Sequence, residues 1–260
     1  MNILDKIVAV KQKEVEERKS LYPVKLLESS LYFSSPTVSL KKYLLRPDKS
    51  GIIAEIKRKS PSKGDINPYV SIERTSIGYM QAGASALSIL TDKDFFGGSA
   101  DDLKVARKFN FCPILRKDFI IDEYQIIEAK SIGADVILLI AAILTPQQVK
   151  QLAAFAISLG MEVLLEVHDE VELQANMDAG IALVGVNNRN LKTFEVDINT
   201  SKRLSELMPK EVVAVSESGI DNPTLIKELK TFGYKGFLIG ETFMKNSRPE
   251  LAAKEFIAQL

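Results

Sequence analysis

The sequence predicts an α/β fold, a (β/α)8 TIM barrel that follows an N-terminal helical extension. Two observations support this prediction. Eight short apolar runs alternate with eight helical patterns in one continuous stretch, and the chain of 260 residues has the length of one barrel of about 250 residues. Such alternation implies a parallel sheet with helical crossovers. An open sheet of the dinucleotide-binding type should carry a Gly-x-Gly-x-x-Gly turn after its first strand, whereas this chain has KRKSPSKG there.

The predicted barrel strands are short apolar segments rich in residues that favour β-structure. They cover residues 51–57, 85–90, 113–117, 135–140, 161–166, 182–187, 212–217 and 236–240. Helical patterns follow them at residues 71–82, 100–109, 123–132, 146–159, 170–179, 200–207, 223–231 and 248–259. Thr145-Pro146 and Asn222-Pro223 support two of the helix starts, because each combines a capping side chain with a first-turn proline.

Nearly fifty residues precede the first strand, and their pattern predicts three helices. An amphipathic helix is expected over residues 2–19, a short helix over 24–30 and a third over 38–45. No linker-like or low-complexity segment interrupts the chain. We therefore predict one barrel domain over residues 1–260, of which residues 1–50 form the helical extension.

Composition and charge argue against several classes of protein. The 34 Lys and Arg residues balance 34 Asp and Glu residues, which argues against binding to nucleic acid or to an acidic membrane surface. The first residues lack the apolar core of a signal peptide, and the longest apolar run, 136–144, is far below the ~20 residues needed to span a bilayer. The single cysteine, Cys112, fits a reducing compartment. These features predict a soluble cytoplasmic protein without nucleic-acid or membrane partners.

Ionisable and amide side chains end five of the predicted strands. In barrel enzymes the active site lies at the carboxyl ends of the strands. Burying several charges is costly unless they pair with each other or bind a charged ligand. The group therefore has two interpretations, a catalytic site or a structural ion-pair network. Its members are Glu55 and Lys57 of the first strand, Lys117 of the third, Glu166 of the fifth, Asn187 of the sixth and Glu217 of the seventh.

The loops after the last two strands predict a phosphate site, because many barrels bind phosphate there. Ser218 and Gly219 follow the seventh strand, and Gly240 and Glu241 follow the eighth. Glycines let the backbone approach an anion closely, although they also serve simply to make tight turns. A carboxylate would repel a phosphate, so we expect the backbone N–H of Glu241, not its side chain, to face the ligand.

Two further features have more than one interpretation. The loop 92–99 carries Phe95 and Phe96, which could wall an aromatic pocket or pack against a helix. His168 directly follows the fifth strand, where we expect a surface or capping residue. With no second histidine and no cysteine cluster, a metal site is not expected.

Five motifs, in order along the chain, resemble those of the indole-3-glycerol phosphate synthase family. They are AEIKRKSPS at 54–62, PILRKDF at 113–119, LEVH at 165–168, GVNNRNL at 185–191 and SESGI at 216–220. The resemblance extends from the N-terminal helices, which cap the mouth of the barrel in that family, to the last strand. It implies a lyase of tryptophan biosynthesis that needs no cofactor. The implied reaction closes the ring of 1-(2-carboxyphenylamino)-1-deoxyribulose 5-phosphate to indole-3-glycerol phosphate, with loss of carbon dioxide and water.

The resemblance also implies roles for individual residues. Lys117 resembles the general acid of the condensation and Glu166 the acid/base of the dehydration. Lys57 resembles a substrate-orienting cation that can also donate a proton. The polar frame around the reacting centre would consist of Glu55, Asn187 and Glu217.

The remaining implied contacts hold the substrate at its carboxylate, its aromatic ring and its phosphate. Ser60 and Arg189 would bind the carboxylate, while Phe96 and Phe119 would lie near the ring. The phosphate would be surrounded by Ser218, Gly219, Gly240 and Glu241, and the apolar wall would contain Leu191 and Leu238.

Two other functions compete with this interpretation. A phosphoribosyl isomerase is also a phosphate-binding barrel, but such enzymes typically use Asp or Cys at the strand ends, where this chain has Lys and Glu. A non-catalytic barrel that binds a phosphorylated metabolite, or serves as a scaffold, would not need Lys117 and Glu166. The implied partner is the small phosphorylated substrate, and docking to other enzymes of the pathway is left open.

Overall fold

A computed structural model describes residues 3–260 and contains a closed barrel of eight parallel strands. Each strand pairs with its neighbours in the chain, and the eighth pairs with the first, which confirms the predicted (β/α)8 fold. Each observed strand end lies within one residue of its prediction. The strands are β1 Ile52–Ile56, β2 Ala86–Leu90, β3 Ile114–Lys117, β4 Val136–Ile140, β5 Glu162–Val167, β6 Leu183–Asn187, β7 Val213–Glu217 and β8 Gly236–Ile239.

Twelve α-helices lie in the described part of the chain. Those of the extension are α1 Ile3–Leu21, α2 Val24–Glu28 and α3 Leu40–Leu44. The barrel helices are α4 Ile72–Gln81, α5 Ala100–Phe109, α6 Glu123–Ser131, α7 Pro146–Ser158, α8 Glu170–Ala175, α9 Asn199–Ser205, α10 Pro223–Thr231, α11 Glu241–Met244 and α12 Pro249–Ile257. The predicted caps are present, because Thr145 accepts from Gln148 N and Asn222 accepts from Leu225 N.

Side chains of each strand point alternately into the barrel and toward the helices, and they form two separate apolar cores. Ile53 of β1 packs inside the barrel with residues such as Leu115 and Leu238. Ile52 and Ile56 belong to the larger core between the strands and the surrounding helices. Successive side chains of a strand point to opposite faces, so Glu55 follows Ile53 to the inside.

Three local features differ from the sequence prediction. The helix predicted over 170–179 ends at Ala175 and continues as a short 3-10 helix, Met177–Ala179. Asn176 leaves the helical conformation there, and its side chain donates to Glu172 O at 2.8 Å, which ends the helix by local hydrogen bonding. The KRKSPSKG turn contains a small antiparallel hairpin, Lys59–Ser60 with Gly64–Asp65. The one-turn helix α11 is also absent from the prediction.

The N-terminal extension contacts both ends of the barrel. Residues Ile3, Leu4 and Ile7 of α1 line a cavity at the carboxyl ends of the strands. At the opposite end, Leu40 and Leu44 of α3 join the inner core. The predicted helix 2–19 began at Asn2, which lies outside the described residues.

Hydrogen bonds hold the extension at the amino-terminal end of the barrel. Ser39 Oγ donates to Glu162 Oε1 at 2.5 Å, and Val38 N donates to Asp135 Oδ1 at 2.8 Å. Asp135 also accepts from Ile114 N and pairs with Arg107. Asp135 and Glu162 at this end of the barrel therefore anchor the chain that leads into α3.

A set of buried charges ties α1 to the outer face of β3. Lys11 Nζ lies 3.0 Å from Asp92 Oδ2 and 3.0 Å from Asp118 Oδ1. Arg116 continues the chain of charges, with Nη2 at 3.1 Å from Asp118 Oδ2 and 2.6 Å from Glu128 Oε2. We call this set the outer ionic network; its members are Lys11, Arg18, Asp92, Arg116, Asp118 and Glu128.

Across residues 3–260, none of the helices combines the length and the apolar character needed to traverse a bilayer.

Candidate active site

A cavity of about 510 Å³ opens at the carboxyl ends of the strands. Every residue that the sequence predicted for catalysis or for substrate binding lines this cavity. They are Glu55, Lys57, Ser60, Phe96, Lys117, Phe119, Glu166, Asn187, Arg189, Leu191, Glu217, Ser218, Gly219, Leu238, Gly240 and Glu241. The structure therefore brings the sixteen predicted positions together, although their individual roles remain predictions.

The centre of the site is an ammonium held between two carboxylates. Lys117 Nζ lies 3.0 Å from Glu166 Oε2 and 2.5 Å from Glu217 Oε2. These residues come from β3, β5 and β7, and inward side chains from alternate strands share one layer of a barrel. Gly185 of the intervening strand β6 leaves room for them, because a Cβ atom there would lie 2.2 Å from Glu217 Oε1.

A second ion pair lies beside the first on β1. Lys57 Nζ is 2.8 Å from Glu55 Oε1. Gly240 accommodates this pair, since a Cβ atom at that position would lie 2.3 Å from Glu55 Oε1 and 3.1 Å from Lys57 Nζ. We call Glu55, Lys57, Lys117, Glu166 and Glu217 the rim cluster; in the structure Gly240 is packed against it, a contact that the sequence did not predict.

Burial and mutual charge set the ionisation of this cluster. Burial opposes the positive charge of Lys117, but Glu217 and Glu166 outweigh it and hold the pKa of Lys117 above its usual range. Burial also opposes the charge of Glu166, yet Lys117 and His168 hold the pKa of this carboxyl well below its usual range. Burial raises the pKa of Glu217 to about 7, and the Glu166 charge adds to the rise although Lys117 counters it. The two carboxyls beside one ammonium thus differ in proton affinity.

Glu166 has further partners on its other oxygen. Asn187 Nδ2 donates to Glu166 Oε1 at 3.2 Å, and Asn187 Oδ1 accepts from Arg189 N at 3.0 Å. His168 Nε2 lies 3.3 Å from the same Glu166 oxygen. The prediction of a surface or capping histidine is therefore wrong: only 12% of the His168 side chain is exposed, and Asp169, not His168, caps α8.

The sequence contained a signal for the position of His168. The fifth strand was predicted to end at Glu166, but β5 extends to Val167. Because side chains alternate, a residue two positions after Glu166 faces the same side as Glu166. His168 and Glu172 also have the i, i+4 spacing at which helical side chains meet.

The expected phosphate end of the cavity has an unusual backbone. Ser218 adopts φ 67° and Gly219 adopts φ 76°. A Cβ atom at Gly219 would lie 2.4 Å from Val196 Cγ1, so only glycine fits without displacing that neighbour. Lys63 and Lys245 line the cavity as well, and the sequence did not single them out.

The Glu241 side chain faces two cations at the mouth. Its Oε1 lies 3.6 Å from Lys63 Nζ and its Oε2 lies 3.7 Å from Arg189 Nη2. Arg189 also donates through Nη1 to Phe194 O at 3.2 Å. Glu241 therefore supplies a negative charge close to both cations at the entrance.

The loop 92–99 supplies one aromatic residue to the wall of the cavity. Phe96 lines the cavity and lies 5.9 Å from Phe119 between ring centroids, at an interplanar angle of 39°. Phe95 and Phe96 both pack against the inner core, but Phe95 does not line the cavity. Asp92 fixes both residues by accepting from Phe95 N and Phe96 N. Among residues 3–260, no group of three or more His, Cys, Asp or Glu side chains is arranged to hold a metal ion.

The barrel and its cavity, with buried Lys and Glu side chains at the strand ends, are typical of enzymes of the (β/α)8-barrel class. Solved structures share the fold at low identity. The N-acetylmannosamine-6-phosphate 2-epimerase from Clostridium perfringens matches with a TM-score of 0.60 and 16% identity, over 82% of this chain and 94% of that chain. The thiamine phosphate pyrophosphorylase from Pyrococcus furiosus matches with a TM-score of 0.60 and 13% identity, over 82% and 97%.

Sequence relatives define the family. The family model of indole-3-glycerol phosphate synthase matches residues 4–256. An indole-3-glycerol phosphate synthase from Bacteroides thetaiotaomicron is 48% identical over 98% of each chain, and one from Caldanaerobacter subterraneus subsp. tengcongensis is 43% identical over 99% of this chain and 98% of the relative. The chain belongs to the indole-3-glycerol phosphate synthase family, which confirms the resemblance. It is a lyase of tryptophan biosynthesis that catalyses a ring closure on a small phosphorylated substrate.

Proposed function

We propose that the rim cluster catalyses the conversion of 1-(2-carboxyphenylamino)-1-deoxyribulose 5-phosphate to indole-3-glycerol phosphate, without a cofactor. The observation that carries this proposal is the Lys117 ammonium, held 3.0 Å from Glu166 and 2.5 Å from Glu217 at the wall of the cavity. A buried, positioned ammonium flanked by carboxyls of different proton affinity can supply both an acid and a base.

The first step is the attack of an aromatic ring carbon on the ketone of the substrate. Negative charge develops on the ketone oxygen as the carbon–carbon bond forms. In the proposed mechanism Lys117 donates a hydrogen bond and then a proton to this oxygen, which becomes a hydroxyl. The carbon–carboxylate bond then breaks, and its electron pair returns to the ring as carbon dioxide leaves.

The second step removes the new hydroxyl as water. An acid must protonate the leaving hydroxyl, and a base must take a proton from the neighbouring carbon so that the indole ring becomes aromatic. We assign this acid/base work to Glu166: its carboxylate takes the proton from the neighbouring carbon and passes it to the leaving hydroxyl, with Lys57 as a supporting cation beside Glu55. Asn187 and Glu217 hold Glu166 and Lys117 in place.

The substrate would lie with its aromatic end toward Phe96 and Phe119 and its phosphate toward Ser218, Gly219, Gly240 and the backbone of Glu241. The cations of this mouth, Lys63 and Arg189, suit an anionic substrate. Arg189 now contacts Glu241 and Phe194 O, so it would exchange partners to bind the substrate carboxylate together with Ser60. Leu191 and Leu238 supply apolar wall.

Residues 1–50 would act as a cap, a proposal supported by the contact of Ile3, Leu4 and Ile7 with the cavity.

A cytoplasmic location is also proposed, because the one cysteine, Cys112, is buried and free.

The test is to add the carboxyphenylamino substrate to the purified chain and to follow indole fluorescence and carbon dioxide release. The expected result is formation of both products in equal amounts, with unchanged rate after treatment with a chelator. Tight binding of the substrate without any product, at every enzyme concentration, would contradict the proposal and favour a non-catalytic phosphate-binding barrel.

A further inference from the structure

We propose that His168, held by Glu172, is a positioning residue that keeps Glu166 negatively charged and in place when Lys117 turns to the substrate. This inference rests on the proposed role of Glu166 as acid/base. His168 was expected to be a surface or capping residue, and the ring closure described above does not use it. Its placement beside a catalytic carboxylate therefore calls for a function.

The orientation of the His168 ring is fixed from one side. His168 Nδ1 lies 3.0 Å from Glu172 Oε2, and the His168 backbone N–H donates to the same oxygen at 2.8 Å. Glu172 belongs to α8, and Asp169 at the start of that helix accepts from Glu172 N at 2.9 Å. These contacts direct the other ring nitrogen, Nε2, toward Glu166 Oε1.

Two carboxylates flank the ring and favour its charged form. Glu166 faces Nε2 from β5, Glu172 faces Nδ1 from α8, and Lys117 of β3 reaches the far oxygen of Glu166. Burial opposes the charge, but Glu166 and Glu172 outweigh burial and raise the pKa of His168 to about 10. An imidazolium has two N–H donors, so one serves Glu172 while the other points at Glu166.

The Nε2 donor of His168 has no hydrogen-bond acceptor in the present arrangement of the described chain. It lies 3.3 Å from Glu166 Oε1 and, among the described residues, this buried nitrogen makes no hydrogen bond. Oε1 is at present bonded by Asn187 Nδ2, and Oε2 lies against Lys117. A small rotation of the carboxylate would complete a charge-assisted hydrogen bond from His168.

This arrangement matters when Lys117 donates to the substrate. A buried carboxylate that loses its cation is strongly destabilised. With His168 charged, Glu166 keeps one cation after Lys117 moves away, so Lys117 can leave at lower cost and Glu166 stays ready to accept a proton. Without the imidazolium, Glu166 would hold Lys117 more tightly or take up a proton too early.

The first experiment measures the charge of the ring directly. His168 is the one histidine of the chain, so the ring signals in a ¹³C- or ¹⁵N-resolved NMR titration belong to it alone. We expect the ring to remain protonated from pH 5 to pH 8. Glu172→Gln should lower the pKa of the His168 ring, because it removes one of the two carboxylates that favour the charged form. Glu170→Gln is the matched control, because Glu170 lies on the same helix, is exposed and contacts Gln174. A neutral ring at pH 8 in the unmodified chain would overturn the proposal.

The second experiment tests the consequence for catalysis. We expect His168→Asn and Glu172→Gln to lower kcat about tenfold, to change KM less than about twofold and to move the acid limb of the pH profile upward by about one unit. Glu170→Gln should leave all three unchanged. Unaltered kcat and pH profile in both variants, with folding checked by circular dichroism, would overturn the positioning role. If the unmodified chain lacked ring-closure activity, the proposed function would fail while the NMR titration would still decide the charge of His168.

Discussion

Two groups of buried charges lie on opposite faces of β3, and they differ in how fully their charges are compensated. Lys117 of the rim cluster points into the barrel, while its neighbour Arg116 points outward into the outer ionic network. In the network, opposite charges reinforce each other. Burial opposes the charges of Lys11 and Asp118, but their partners hold the pKa of Lys11 above, and the pKa of Asp118 below, its usual range.

The rim cluster is not compensated in the same way. Lys57, Lys117 and the neighbouring His168 supply cations to its three carboxyl groups, yet Glu217 Oε1 has no hydrogen-bond partner within residues 3–260. Burial raises the pKa of Glu217 to about 7, so both the protonated and the ionised form of this carboxyl are populated near neutral pH. A structural network is stable when every charge is matched, whereas a catalytic site keeps groups available for a ligand. This comparison favours catalysis over the structural interpretation of the rim.

The largest expected effect comes from Lys117→Met. The change removes the ammonium that would protonate the ketone oxygen, so turnover should fall about 10²–10⁴-fold while the fold is retained. Steady-state kinetics with the carboxyphenylamino substrate, together with far-UV circular dichroism, would measure both. Lys59→Met is the control, because Lys59 bonds to Asp94 O at the same mouth and does not line the cavity. Near-normal turnover of Lys117→Met would refute its role as the acid.

Lys11→Met should have a large effect on stability. Lys11 is 1% exposed, and its removal leaves Asp92 and Asp118 buried without their shared cation. We expect a loss of about 3–5 kcal/mol in the free energy of unfolding, measured with urea. Lys19→Met, on the same helix but in a partly exposed pair with Asp122, should cost less than about 1 kcal/mol. Equal losses in the two variants would show that the network is not structural.

Glu217→Gln should change how stability depends on pH. The pKa of Glu217 rises from its ordinary 4.5 to about 7 in the folded chain, so the unfolded chain releases this proton first. The contribution of Glu217 therefore lowers stability as pH increases from about 4.5 to 7, by about 3 kcal/mol. Glutamine keeps the shape of the side chain but cannot ionise, so the variant should lack this decline in the free energy of unfolding.

Urea unfolding at pH 5 and pH 7 would measure the difference between the two proteins. The outer ionic network should not contribute to it, because the pKa values of Lys11 and Asp118 are displaced away from that interval. Parallel curves for the unmodified chain and Glu217→Gln would mean that Glu217 is already ionised at pH 5.

The smallest expected effect is that of Ser218→Asp. A carboxylate at the proposed phosphate loop should raise KM about tenfold by repulsion of like charges, with little change in stability. Ser218 has φ 67°, a conformation that Asp and Asn tolerate. Ser218→Asn is therefore the matched neutral control. If KM were the same in both variants, the phosphate would lie elsewhere.

Much of the fold and of the site could be predicted because both depend on short-range patterns. Apolar strands, helix caps and alternation placed Glu55, Lys117, Glu166 and Glu217 at strand ends, and parallel strands bring those ends together. The roles of the sixteen residues came from the family motifs, since strand ends alone do not distinguish an acid from a base.

The sequence by itself determined the order of eight strand–helix units and the polar residues at the strand ends, because side-chain alternation and capping are local properties. Other cavity positions, such as Ser60 and Arg189, came from the family resemblance. Only the tertiary structure decided which charges meet. It placed Lys11 of α1 beside Asp118, His168 beside Glu166, and Gly185 where Glu217 needs room. These contacts join residues that are far apart in the chain, so local patterns cannot reveal them. Burial then decides how strongly each charge acts, because it makes an unpaired charge costly and shifts the pKa of a paired one.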